Sequence, residues 1–186
     1  MAASGKGRGA GQVRIIGGTN RSRILHFPDS PGLRPTTDRV RETLFNWLGQ
    51  DLEGKTCLDL FAGSGALGFE AASRGARRVV MVESDKRVYR ALQENAAALR
   101  AQNVELLAGD AVKYLAQNGP RFDVIFVDPP FDSDLAGRVM PLIAGRLAPH
   151  GLVYVESGSE MQPGAGWTVW RSGQAGAAYF QLLRAR

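Results

Sequence analysis

The sequence predicts an α/β fold: a seven-stranded, mostly parallel sheet closed by a C-terminal antiparallel hairpin and preceded by an N-terminal β-hairpin and helix. Three observations predict it. From Lys55 to about residue 156, short apolar runs alternate with segments of helical period. Beyond residue 156 two apolar runs follow each other with only a turn between them. Before residue 50, one pair of short runs and one amphipathic segment stand outside the alternation.

In chain order, residues 1–12 (MAASGKGRGAGQ) read as a flexible basic tail without the apolar core of a signal peptide. Residues 13–49 form the extension. Val13, Ile15 and Ile16, the turn-rich Gly17-Gly18-Thr19-Asn20, and Ile24, Leu25 and Phe27 predict a hairpin. Three prolines make PDSPGLRP (28–35) a connector. Thr36 or Thr37 then caps a helix running to about Leu48, whose stripe of Val40, Leu44, Trp47 and Leu48 faces the core, with Arg39 and Arg41 off the stripe. The domain boundary is set near residue 50, between Gly49 and Gly54.

Residues 50–186 carry the sheet. Strands are predicted at 56–61, 79–83, 104–108, 124–128 and 152–156, with helices at 66–74, 86–100, 111–117 and 134–147. Right-handed crossovers make such an alternation an open, Rossmann-like sheet with helices on both faces. Trp167–Arg171, a turn at 172–176 and Ala177–Leu183 form the closing hairpin.

The chain has 186 residues, 44% of them hydrophobic, enough for one domain with a full core and a small extension. Its single cysteine, Cys57, excludes an internal disulfide and, lying in a strand, reads as core filler in a reducing cytoplasm. No apolar run approaches the roughly 18 residues that span a bilayer. The net charge of +5 is uneven: residues 1–41 hold eight Lys/Arg against Asp29 and Asp38, so the rest sums to −1. A basic extension on a near-neutral domain points to a polyanion such as nucleic acid.

Ligands of an open α/β sheet bind at the carboxyl ends of its strands. The first strand runs into Leu58–Glu70, LDLFAGSGALGFE, whose glycines let backbone N–H groups and a helix N-terminus face a ligand. Gly63, Gly65 and Gly68 satisfy the dinucleotide fingerprint, so a nicotinamide cofactor competes for this loop. Asp59 favours S-adenosylmethionine, because a carboxylate there suits a cationic amino-acid moiety better than a pyrophosphate. The second strand ends in Glu83-Ser84, and Glu83 can accept from a ribose diol; Asp110-Ala111 follows the third, and Asp110 can accept from an adenine amino group or cap a helix.

The fourth strand ends in Asp128-Pro129-Pro130-Phe131, the most specific signal in the chain. Two prolines remove two backbone donors and stiffen the chain, so the Pro129 carbonyl can join the Asp128 carboxylate as an acceptor for a planar –NH2 group. Phe131 offers a ring on which a base can stack.

Taken with RIIGG (14–18), SPGLRPTTDRVRETLFNWL (30–48), VESD (82–85) and YVES (154–157), these motifs resemble those of class I S-adenosylmethionine-dependent methyltransferases. They resemble more closely the bacterial 16S ribosomal RNA guanine-N2 methyltransferases that modify guanine 966. The resemblance implies that Asp59, Phe61, Gly63, Ser64 and Gly65 line the methionine part of the cofactor. It also implies Glu83 at the ribose, Asp110 near the adenine, and Asp128 to Phe131 around the target base, with Ser84 and Ala111 counted beside them among the cofactor-binding residues. Arg14, Arg21, Arg23, Arg34, Arg39 and Arg41 are expected to hold RNA, free or within an assembled or assembling small ribosomal subunit. The reading requires no metal. Amino-methylation of DNA adenine or cytosine or of a protein glutamine, an oxidoreductase bound to a nicotinamide dinucleotide, and a non-catalytic RNA-binding module remain the alternatives.

Overall fold

A computed structural model describes residues 11–186 of the chain. Nine strands and five helices succeed one another: β1 (Gly11–Arg14), β2 (Ile24–Phe27), α1 (Asp38–Trp47), β3 (Thr56–Asp59), α2 (Ala66–Ser73), β4 (Arg78–Glu83), α3 (Lys86–Leu99), β5 (Val104–Ala108), α4 (Ala111–Ala116), β6 (Phe122–Val127), α5 (Leu135–Ile143), β7 (Leu147–Ser157), β8 (Trp167–Ala175) and β9 (Ala178–Ala185). The seven-stranded sheet has the order β5-β4-β3-β6-β7-β9-β8. Its strands β5 to β7 pair in parallel, and β9 runs antiparallel between β7 and β8. This is the predicted architecture. Among the described residues no helix is long and apolar enough to cross a membrane.

Side-chain alternation along the central strands divides the core in two. Cys57, Val79 and Met81 face one apolar layer with α2 and α3, while Leu58, Val80 and Val82 face the other with α4 and α5. The hairpin and α1 belong to the first layer: Val13, Ile15, Leu25, Phe27, Val40, Leu44 and Phe45 share a cluster with Phe69, Leu92 and Leu99. Burial pushes the Cys57 thiol up to about 12, which suits a packing role.

Several boundaries differ from expectation. The predicted tail lies outside the described residues except Gly11 and Gln12, which β1 takes up. The strand expected at 152–156 starts at Leu147, after a short 3-10 turn, and its register against β6 shifts between Phe122 and Val124. The turn expected at 172–176 is smaller. Residues Ser172–Ala175 continue β8, and Gly176, at φ 58°, begins the tight reversal. Gly173 pairs with Phe180 within the strand, and the Phe180 ring, 2.5 Å from where a Cβ would be, leaves room only for glycine.

Arg41 is the main correction. Its guanidinium is fully buried and makes ion pairs to Glu70 at 3.2 Å and Asp38 at 2.6 Å. It also donates to the Thr36 and Arg14 carbonyls. Periodicity missed this because Arg41 sits on the flank of the apolar stripe, where a cation is tolerated only with buried partners. Arg74 at 2.8 Å, Ile16 N–H at 2.9 Å and Gly17 N–H at 2.9 Å complete the shell of Glu70. Ser73, also on α2, accepts from the Asn20 N–H at 2.9 Å and donates to the Gly17 carbonyl at 2.6 Å. Gly18 must be glycine: at φ 78° its Cβ would fall 1.9 Å from the Ser73 carbonyl oxygen.

Candidate active site

Five neighbouring strands deliver an acidic side chain to one edge of the sheet. Asp59 ends β3, Glu83 ends β4, Asp110 follows β5, Asp128 follows β6, and Glu156 lies near the end of β7. All five line one cavity of about 520 Å³, roofed by Ser30 to Thr37 of the connector. That volume is in the range of small-molecule sites. Every cofactor and catalytic residue named from the sequence lines it except Gly65. Gly65 instead makes the turn, at φ 83°, and leads α2 without a side-chain cap.

At the β3 end, Asp59 is fully buried. Its Oδ2 accepts from the Gly68 N–H at 3.0 Å, and its Oδ1 has no partner among the described residues. Burial pushes this carboxyl up to about 7, with the Glu83 charge adding to the rise. A carboxylate placed so is short of a cation. Glu83 accepts from the Gly63 N–H at 2.8 Å and the Asp85 N–H at 3.0 Å, one on each oxygen, so its outward lone pairs remain for a diol. Gly63, at φ 53°, lines the cavity, and the Leu33 Cδ1 of the connector lies 2.8 Å from where its Cβ would be. Ser64 is buried and accepts from the Ala66 N–H at 3.3 Å. Asp110 caps α4 through Lys113 N–H at 2.9 Å. Gly68 serves packing, since a Cβ there would lie 2.7 Å from Met81.

At the β6 end, Asp128 is exposed only in part, and it lines the cavity. Its Oδ2 accepts from the Thr36 hydroxyl at 3.0 Å. The Pro130 carbonyl closes a turn by accepting from Ser133 N–H at 3.1 Å and its hydroxyl at 2.7 Å. The Pro129 carbonyl takes part in no such bond among the described residues. Asp128 and Pro129 both line the cavity, so this stretch of chain brings acceptors to it. The Arg34 guanidinium lies 4.2 Å from the centre of the Phe131 ring. Desolvation raises the Asp128 carboxyl well above the usual range, and the Glu156 charge raises it further.

Residues 13–184 match the family described as Conserved hypothetical protein 95. Ribosomal RNA small subunit methyltransferase D of Escherichia coli is 48% identical over 183 residues, covering 95% of this chain and 91% of that protein. The chain belongs to this methyltransferase family. The protein of the same name from Haemophilus influenzae is 42% identical over 182 residues, covering 94% of each chain. The solved structure of Escherichia coli yhhF superposes with a TM-score of 0.84 at 45% identity, covering 94% of this chain and 98% of that one.

Three residues of the hydrogen-bonded cluster at Asp128 were not singled out as site residues from the sequence. Thr36 was a candidate cap, but Thr37 caps α1, accepting from Val40 N–H at 3.3 Å, and frees Thr36 for the site. Tyr154 and Glu156 lay inside YVES, noted only as resemblance. Glu156 had a signal, because it stands at a fifth strand end. The arginines divide three ways: Arg34 lines the cavity, Arg14, Arg21, Arg23 and Arg39 are exposed elsewhere, and Arg41 is interior.

Proposed function

We propose that the protein transfers a methyl group from S-adenosylmethionine to the exocyclic N2 of a guanine in 16S ribosomal RNA. The observation that carries this reading is the pair of acceptors, Asp128 and the Pro129 carbonyl, on a cavity that is also lined by Asp59, a buried carboxylate whose Oδ1 has no partner among the described residues. The residues fit the cofactor. Asp59 matches a cationic amino-acid moiety, Glu83 a ribose diol, and Asp110 an adenine amine. Bound S-adenosylmethionine supplies an electrophilic methyl group on a positively charged sulfur.

The chain's own residues supply position and charge. Asp128 Oδ2 is engaged by Thr36, so Oδ1 and the Pro129 carbonyl hold the two amine hydrogens. These bonds hold a weakly nucleophilic nitrogen with its lone pair toward the methyl. The N–C bond would form as the methyl carbon–sulfur bond breaks, and Asp128 would take the amine N–H proton, which leaves to water with the product. The base stacks on Phe131 in the place now covered by Arg34, which frees that guanidinium for a backbone phosphate. A base already stacked in RNA must first turn out, at a cost of a few kcal/mol.

The test incubates the protein with methyl-labelled cofactor and separate pools of small-subunit RNA, DNA and protein, followed by mass analysis of nucleosides. Label in N2-methylguanosine is expected. Label confined to DNA bases or glutamine would refute the substrate. Asp128→Ala should reduce transfer by at least 10³-fold while cofactor affinity falls far less, by no more than about tenfold, the scale on which losing transition-state contacts is read; equal loss of both would remove Asp128 from the amine.

A further inference from the structure

Glu156 is a buried carboxylate that the reaction above does not use. Its Oε2 accepts from the Tyr154 hydroxyl at 2.8 Å and lies 3.4 Å from the Thr36 Oγ1. The same Thr36 oxygen lies 3.0 Å from Asp128 Oδ2. One hydroxyl, with one proton, thus bridges two carboxylates. If both were ionised, one of the two contacts would be oxygen against oxygen with no hydrogen between. A single further proton completes the chain. Among the described residues neither carboxylate has an ion-pair partner.

Hydrogen-bond counting places the resting proton. An ionised Glu156 receives two donors, Tyr154 and Thr36, whereas an ionised Asp128 receives only Thr36. The charged groups facing the pair are Arg34 from the connector, which favours ionisation of both, and Asp59 from β3, which disfavours ionisation of Asp128. Tyr154 on β7 is itself held protonated by burial and the Glu156 charge, so it remains a donor.

We propose that Glu156 is a positioning residue that shares one proton with Asp128 across the Thr36 hydroxyl, and that a positive charge in the cavity drives this proton from Asp128 to Glu156. The step balances. The Asp128 O–H bond breaks as its proton passes to Thr36 Oγ1, and the Thr36 proton passes to Glu156 Oε2. The pair keeps its single negative charge throughout, and that charge moves to Asp128, where it can accept the target amine. No proton need cross between site and solvent before transfer. The proposal rests on the cofactor reading above, but not on the identity of the methylated base.

The test is carboxyl ¹³C NMR of the full chain labelled in Asp and Glu, at neutral pH and without RNA, with Asp128 and Glu156 assigned by Asp128→Asn and Glu156→Gln. The probe is sinefungin, a cofactor analogue with an amine in the position of the methyl sulfonium. In the free protein Asp128 should resonate as a protonated carboxyl and Glu156 as an ionised one. Saturation with sinefungin should exchange the two positions. In Glu156→Gln, the negative neighbour gone, the Asp128 resonance should move toward the ionised position before any ligand is added, a change that a merely structural role for Glu156 would not produce. Two ionised carboxyls in the free protein, or loss of the Asp128 proton while Glu156 stays ionised, would overturn the shared proton. Calorimetry that finds no sinefungin binding would overturn the cofactor reading and this inference with it. Reciprocal exchange in a protein that labels a nucleoside other than guanosine would refute the substrate alone.

Discussion

Asp59→Asn removes a buried carboxylate whose Oδ1 is sealed from solvent with no donor among the described residues. Its carboxyl is raised to about 7 in the folded protein, against about 3.9 for an unfolded aspartate. The folded state therefore holds the proton more tightly. The stability this provides is complete below about pH 4 and is lost as pH rises through about 7. Three units at about 1.36 kcal/mol each put the loss at ~4 kcal/mol. Asparagine keeps an acceptor for the Gly68 N–H and does not titrate. Urea unfolding of parent and variant at about pH 4.5, where the unfolded aspartate is already mostly ionised, and at about pH 8 should show their difference swinging by ~3 kcal/mol in the variant's favour at the higher pH. Saturating S-adenosylmethionine should erase the parent's loss, because a cation beside Asp59 favours its ionised form. The variant, lacking a charged hydrogen bond of about 1.5–3 kcal/mol, should bind the cofactor about 10- to 100-fold more weakly by calorimetry. A pH-independent difference in stability, or an unchanged cofactor affinity, would refute the assignment.

Arg41→Ala and Arg39→Ala should separate by location: the first, stripping a buried cation from Glu70, should cost about 3–5 kcal/mol in urea unfolding, while the second stays within about 0.5 kcal/mol. In a filter-binding salt titration, Arg39→Ala should lower the RNA-binding slope by about one. Gly65→Ala, forced to φ 83° with its Cβ 2.5 Å from the Phe69 ring, should lose about 2–4 kcal/mol of stability by strain and overpacking; a melting curve like the parent's would contradict the turn described. Phe131→Leu should cost about 1–3 kcal/mol in kcat/KM for RNA, the value of one stacked base, with cofactor affinity unchanged in calorimetry.

The parallel sheet was legible because period and length separate β3 to β7 from the helices between them. The cavity was largely legible too, because an open sheet exposes its ligand at strand ends and four of those ends carry unmistakable polar groups. What escaped depended on contacts between distant segments. Arg41 and Glu70 are 29 residues apart, and nothing in either one's neighbourhood reveals that the other will neutralise it. Thr36 and Glu156 are 120 residues apart. Either of two adjacent threonines could cap α1, and only the fold decides that Thr37 does so while Thr36 turns to Asp128. Gly173 looked like turn chemistry because the Phe180 ring that covers it comes from the returning strand.

The loop of the N-terminal hairpin is fastened to α2 through Glu70 and Ser73, and the other end of α2 opens on the cavity. A helix of eight residues is stiff over its whole length. The exposed arginines of the hairpin and the cavity are therefore the two jaws of a fixed caliper. On the proposed function, RNA gripped by one jaw would present to the other only a nucleotide at a set distance along its fold, so the choice of target would be a measurement of length as well as a reading of a base.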